Sequence, residues 1–103
     1  MVKTIIVKIL KQAGTFAENK DIARKIRIET IEPTLNKGLG IVIDFNGVDA
    51  ATQSFIHALI SQVIRDHGVE VLESMVFKDC SETVQKIIEI VVDYMQHDDK
   101  QTQ

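Results

Sequence analysis

The sequence has few of the residues that make covalent cross-links or metal sites. Its 103 residues include one cysteine, one proline and no tryptophan. A single cysteine, Cys80, excludes a disulfide within the chain and a cysteine-rich metal site. A lone thiol is also typical of a reducing compartment. We therefore expect a cytoplasmic protein with no disulfide framework.

Long apolar runs are absent as well. The N-terminal run is interrupted by Lys8 and is too short for a secretion signal. No run approaches the roughly 20 apolar residues that a membrane-spanning helix needs. The sequence therefore predicts a protein without a membrane-bound part.

An excess of basic charge is also missing. The chain has 15 acidic and 12 basic residues and a net charge of −3. The nearest approach to a basic cluster is Lys20, Arg24, Lys25 and Arg27, and acidic residues flank it. Nucleic-acid binders usually carry a basic stripe and, for single strands, stacking aromatic side chains. We expect no nucleic-acid partner.

The histidines and glycines do not form a metal or phosphate motif. His57, His67 and His97 lack the spacing of a zinc site. Gly38 and Gly40 precede an apolar run, whereas a phosphate-cradling loop follows a strand. The sequence therefore predicts no metal and no cofactor.

A catalytic constellation is not evident either. Asp44 and Asp49 resemble an acid–base pair only in their proximity along the chain, and no third group accompanies them. Cys80 could meet a histidine only through the fold, and a half-buried residue at a strand–helix junction is the simpler interpretation. We expect a protein that is not an enzyme.

Apolar residues make up 45% of the chain, enough for a packed core. Their patterns predict an alternation of strands and helices. The strands are expected at 4–10, 39–45 and 69–77, and the helices at 18–37, 52–67 and from Ser81 to about Met95. The run Ile41–Ile43 is β-branched throughout, which favours a central strand covered on both faces.

The helix boundaries have local signals of their own. Thr52 and Ser81 are suited to cap the second and third helices, and Gly68 to end the second. In the first helix the apolar residues form two separate faces, and Pro33 is expected to bend or end it. A short strand near 14–16 could pair with the first strand.

Alternation of this kind predicts an α/β fold with right-handed crossovers. We expect a mostly parallel or mixed sheet of four or five strands with three main helices packed on it. The domain is expected to span residues 1–97, and residues 98–103 to form a flexible polar tail.

The segment 39–60, LGIVIDFNGVDAATQSFIHALI, resembles the signature of the STAS superfamily, the sulfate-transporter and anti-sigma-factor-antagonist domain. Its Asp-Phe-x-Gly-Val stretch and later Ser-Phe are most similar to the STAS-like domain of unknown function found in prokaryotes. The resemblance continues through 69–81 and the last helix, and covers roughly Thr4 to Met95.

The resemblance implies a single STAS-like domain that serves as a regulatory protein-binding module. In anti-sigma-factor antagonists, the loop and helix start after the central strand bind a histidine-kinase-like ATPase, which phosphorylates a serine there. In this chain the usual phosphoacceptor position carries Gln53, Ser54 follows it, and Phe55 replaces a glycine. The resemblance therefore leaves Ser54 or Thr52 as the phosphoacceptor. Ser54 as a simple helix-start residue is the alternative.

The expected partner-binding surface lies at 44–57, and the partner is a histidine-kinase-like ATPase or another regulator. Its predicted residues are Asp44, Asn46, Gly47, Asp49, Thr52, Gln53 and His57. Asp44 has an alternative role in capping its own turn. Two other functions remain open: sensing of a nucleotide or small ligand, and a homo-oligomeric structural component, such as a homodimer through Ile28, Ile31 and Leu35.

Overall fold

In the computed structural model the backbone is described for residues 4–101 and the side chains for residues 4–96. The main sheet has three parallel strands: β1 (Thr4–Lys8), β3 (Gly40–Asp44) and β5 (Met75–Lys78), in the order β1-β3-β5. The β-branched run of β3 occupies the central position, as its sequence predicts.

A second, two-stranded sheet joins β2 (Phe16–Ala17) to β4 (Ala50–Ala51) in parallel. The short strand expected near 14–16 therefore exists at 16–17, but its pairing with the first strand was wrong. The short connection after β1 cannot supply the long crossover that a parallel neighbour needs. β2 pairs instead with the chain that follows β3.

Five α-helices lie among the residues that the structure describes. They are α1 (Ile9–Ala13), α2 (Lys20–Ile26), α3 (Glu32–Asn36), α4 (Gln53–His67) and α5 (Glu82–Gln101). The mostly parallel α/β architecture is confirmed. The expected single sheet of four or five strands was wrong, because the strands form one sheet of three and one of two, and the described residues form five α-helices in place of three main ones. The predicted tail at 98–103 overlaps the end of α5, and its side chains lie outside the described residues.

A π-helical turn, Arg27–Ile31, joins α2 directly to α3. Ile26 and Ile31 are five residues apart, yet both are fully buried. The π-turn contains one more residue than an α-helical turn. This extra residue rotates the second segment relative to the first, so that the apolar faces of both segments point toward the core. Pro33 lies in the first turn of α3, directly after the π-turn, and does not end the helix.

The boundaries of α4 and α5 follow the predicted caps. The hydroxyl of Thr52 accepts a hydrogen bond from the backbone N–H of Phe55 at 3.1 Å, and Gly68, with φ of 86°, ends α4. Ser81 accepts from the N–H of Val84 at 3.1 Å at the start of α5. The predicted strand 69–77 was half wrong, since Val69–Ser74 is a 3₁₀-helix and only the remainder extends along β3.

One face of the main sheet enters the hydrophobic core. Val7, Ile41, Ile43 and Met75 are buried there with the apolar faces of α4 and α5. The opposite face is open: Ile6 and Val76 are 56% and 54% exposed, and Val42 is half-buried between them in register. The expectation that β3 is covered on both faces was therefore wrong. No helix within residues 4–101 combines the length and apolar character needed to cross a bilayer.

Candidate functional site

The candidate site begins where β3 ends, at the C-terminal edge of the main sheet. Asp44 is the last residue of β3 and is 9% exposed. Its Oδ1 accepts a hydrogen bond from the backbone N–H of Asn46 at 2.9 Å, which makes an Asx-type turn. The carboxylate therefore shapes the turn from inside, as the alternative role for Asp44 predicts.

The turn after Asp44 presents Asn46 and Gly47 to solvent. Gly47 has φ of 85°, a conformation that side chains with a Cβ rarely adopt. A Cβ there would also lie 2.7 Å from Cδ2 of Leu10. Leu10 therefore sits directly against the turn, and it is 38% exposed.

Two distant segments fix the loop at Asp49. The N–H of Asp49 donates to the carbonyl of Thr15 at 2.8 Å, and its own carbonyl accepts from the hydroxyl of Ser81 at 2.9 Å. The N–H of Thr52 donates to the carbonyl of Ala17 at 2.9 Å. The Asp49 side chain remains exposed, so a fixed backbone holds an accessible carboxylate.

The first turn of α4 carries Thr52, Gln53 and Ser54. Thr52 is half-buried and uses its hydroxyl as the cap, whereas Gln53 and Ser54 are exposed. Phe55 is fully buried, which confirms the expectation that this bulky residue packs into the core. The two suggested phosphoacceptors therefore differ: one hydroxyl has a structural bond, and the other residue faces solvent.

His57 lies one turn further along α4 and is half-buried. Its Nδ1 shares a hydrogen bond of 3.3 Å with the hydroxyl of Ser61. A shallow hollow beside it is lined by Lys20, Gln53, Ser54, His57 and Ala58.

Three residues at or beside this site were not predicted from the sequence. Lys20 lines the hollow next to Ser54, while Leu10 and Phe16 are exposed apolar side chains near the loop. Phe16 is 49% exposed and pairs in register with Ala50. Phe16 reaches the site through the pairing of β2 with β4, and no local pattern in the sequence indicates that pairing.

Cys80 occupies the adjacent strand end, between β5 and α5, and is half-buried as predicted. Burial raises the pKa of the thiol, and the nearby charges of Asp79 and Asp44 raise the pKa further. The thiol therefore keeps its proton at neutral pH and is a poor nucleophile. Within the described residues, no three His, Cys, Asp or Glu side chains gather closely enough to hold a metal ion.

The family model described as STAS-like domain of unknown function (DUF4325) matches residues 23–85, more than half of the 103-residue chain. The chain belongs to this family. The match runs from α2 to the first turn of α5 and includes the whole loop between β3 and α4. No curated protein and no solved structure matches the chain. The STAS-like fold is thus shown.

Proposed function

We propose that this STAS-like chain is a non-enzymatic regulatory module, and that a protein partner docks on the loop and helix start after β3. The docking surface consists of Leu10, Phe16, Asn46, Gly47, Asp49, Gln53, Ser54 and His57. One observation carries the proposal: the backbone of this loop donates hydrogen bonds to the carbonyls of Thr15 and Ala17 and accepts one from the hydroxyl of Ser81, yet its polar side chains face solvent. A prearranged surface loses little entropy when a partner binds.

The composition of the docking surface supports the same function. Two exposed apolar side chains, Leu10 and Phe16, lie beside exposed polar groups such as Asn46 and Asp49. Protein interfaces typically combine a few apolar or aromatic anchors with a polar rim. The hollow at Ser54 is shallow and has no phosphate loop, so this arrangement favours a protein over a nucleotide.

Phosphorylation is proposed to gate the docking at Ser54. A phosphoserine adds ~1.5 to 2 negative charges at neutral pH. Ser54 is exposed in the first turn of α4 and lines the hollow with Lys20. Thr52 is the weaker acceptor, because its hydroxyl already caps the helix. The partner is a histidine-kinase-like ATPase or another regulator that presents a complementary face.

The test compares two charge-adding variants at opposite ends of the molecule. Tagged wild-type chain, Ser54→Asp and Ser74→Asp are used to capture partners from an extract of the native cell, and the captured proteins are quantified by mass spectrometry. Ser74 is exposed, and its carbonyl lies 3.5 Å from the Cβ position at Gly40, at the N-terminal end of β3. It is therefore the matched control.

The expected result is a specific partner that Ser54→Asp loses and Ser74→Asp keeps. The affinity of that purified partner should fall at least about tenfold, as for a like charge placed in an interface. Equal capture by all three folded chains would contradict the proposal. So would equal loss in both variants.

A homo-oligomeric component is the second candidate, and the open face of the sheet favours it. Parallel sheets are almost always covered on both faces, whereas here Ile6, Val42 and Val76 form an uncovered apolar row. The face suggested from the sequence was wrong, because Ile31 is fully buried and Leu35 is partly buried. Light scattering at high concentration tests this candidate. A dimer that Val76→Lys converts to a monomer would support it, and a strict monomer would remove it.

A further inference from the structure

A basic groove runs between α2 and α4, next to the docking surface. Its charged lining is Lys20, Asp21, Arg24, Arg27 and Arg65, with a volume of about 340 Å³. Four cations and one carboxylate leave three net positive charges, with His57 not counted. The whole chain carries −3, so the sign of the groove opposes that of the molecule.

The helices are close enough to form the groove because α4 presents small residues to α2. Ala58 and Ser61 line the groove at the centre of α4, and Ser61 is 4% exposed. The Nη1 of Arg27 donates a hydrogen bond to the carbonyl of Ala58 at 3.2 Å. The guanidinium is thus anchored on α4, and its remaining N–H donors are available.

Asp21 is the single carboxylate in the groove lining, and it offsets only part of the positive charge. Within residues 4–96, no carboxylate forms an ion pair with Lys20, Arg24, Arg27 or Arg65. The neighbouring Asp66 instead accepts a hydrogen bond from Gln62 at 2.9 Å. Gathering like charges without partners is unfavourable, and an external anion would relieve the repulsion.

We propose that the basic groove binds an acidic segment of the protein partner. This inference rests on the proposed function, because Lys20, His57 and Ala58 line both the groove and the hollow at Ser54. Ser54 to Arg65 spans eleven helical positions, about 16 Å at the rise of an α-helix. That length accommodates about five residues of extended chain.

The spread of the charges favours a peptide over a single small anion. Three of the cations follow one another along α2 and the start of the π-turn, and Arg65 lies across the groove on α4. A phosphate, in contrast, is bound by donors that converge on one point. A nucleic-acid strand is less suited, because no aromatic side chain lines the groove for bases to stack on.

The probe is a fluorescein-labelled hexaglutamate peptide, titrated with the full chain at low ionic strength and followed by fluorescence anisotropy. A hexaglutamine peptide with the same label is the uncharged control. We expect saturable binding of hexaglutamate only, weakened at about 0.3 M salt, where exposed charges are screened.

Charge-reversal variants test whether hexaglutamate binds in the basic groove. Arg24→Glu and Arg65→Glu, on opposite walls of the groove, are each expected to weaken binding at least about tenfold. Lys25→Glu makes the same kind of charge change on the next residue of α2, which is exposed and outside the groove lining. It should change the affinity less than about twofold. Far-ultraviolet circular dichroism confirms that each variant is folded.

Several outcomes would overturn the inference. These are no hexaglutamate binding at low salt, equal loss in the Lys25→Glu and Arg24→Glu chains, or displacement by inorganic phosphate or an oligonucleotide that binds more tightly. Each leaves the docking proposal standing if a captured partner remains sensitive to Ser54→Asp. Conversely, if hexaglutamate binds but Ser54→Asp does not change the capture of a partner, the docking proposal alone is contradicted.

Discussion

The hydroxyl of Ser81 donates a hydrogen bond to the carbonyl of Asp49 at 2.9 Å while it accepts one from the N–H of Val84 at 3.1 Å. One side chain therefore both starts α5 and fixes the loop between β3 and α4. The position of the docking surface depends on these hydrogen bonds, because they join the loop to the start of α5.

Ser81→Ala removes both bonds and should lower the free energy of unfolding by about 1–2 kcal/mol, the usual effect of losing a helix cap. Urea denaturation followed by circular dichroism measures it. Ser74→Ala is the control, because Ser74 is exposed, and it should change the stability by less than about 0.5 kcal/mol. Equal stability of the two variants would show that the Ser81 bonds contribute nothing.

Thr52 caps α4, and we expect its hydroxyl group, not the shape of its side chain, to stabilise the folded chain. Thr52→Val keeps the β-branched volume but removes the acceptor for the N–H of Phe55, so we expect a loss of about 1 kcal/mol. Thr52→Ser keeps the acceptor and should retain most of the stability. If both substitutions have the same effect, packing of the Thr52 methyl group dominates and the cap is unimportant.

Alanine substitutions at Gly47 and Gly14 distinguish the stability cost of backbone strain from that of a steric contact. Both have positive φ, 85° and 81°, but a Cβ at Gly47 meets Leu10, whereas a Cβ at Gly14 meets nothing within 4 Å. Gly14 has ψ of −171°, so Gly14→Ala should cost about 1–3 kcal/mol from the backbone alone. Gly47→Ala should add a steric cost to its backbone cost.

Leu10 provides the check on this difference. Adding Leu10→Ala to Gly47→Ala should restore the part of the unfolding free energy that is lost through the contact between the new Cβ and Leu10. A double-mutant cycle measures this part as a coupling energy. Purely additive effects would mean that Leu10 moves away from a new Cβ without loss.

Cys80 should show a raised pKa in its reactivity. The thiolate forms at higher pH in the folded chain than in the unfolded chain, so iodoacetamide should react slowly until the pH exceeds the ordinary cysteine range. In denaturant, the reaction should follow the ordinary pH profile. The folded state binds the extra proton between the two pKa values, so this group contributes stability at lower pH and loses it as the pH rises through that interval.

The substitution Asp79→Asn measures how much the charge of Asp79 contributes to the raised pKa of Cys80. Asp79 has φ of 53°, which asparagine also tolerates, so the substitution removes the charge without adding backbone strain. The reactivity profile should move to lower pH but remain above the denatured profile, because desolvation is the larger cause. An unchanged profile would show that the Asp79 charge does not affect the thiol.

Features with local signals were predictable from the sequence. The cap at Thr52, the glycine at 68 and the spacing of Phe55, Leu59 and Val63 together define α4, and the β-branched run 41–43 defines the central strand. In each case neighbouring residues along the chain carry the physical cause.

Features that depend on tertiary structure were not predictable. Val69–Ser74 has the composition of a strand, but β3 offers register partners only to Met75–Lys78, so the earlier residues coil into a 3₁₀-helix. The basic groove needs Arg65 of α4 beside Arg24 of α2 and Arg27 of the π-turn. Sequence alone groups Arg24 and Arg27 with Lys25, which does not line the groove.

The π-turn at Arg27–Ile31 has a consequence for the permitted length of the chain. An α-helix with one inserted residue makes such a turn, so deletion of the exposed Glu29 should restore an ordinary helix and leave both flanks in place. Deletion of Lys25 instead should rotate the start of α2 by about 100° and turn Ala23 away from the core. Thermal melts should find the first chain folded and the second strongly destabilised, which would mark 27–31 as a stretch where this helical segment tolerates the loss of one residue.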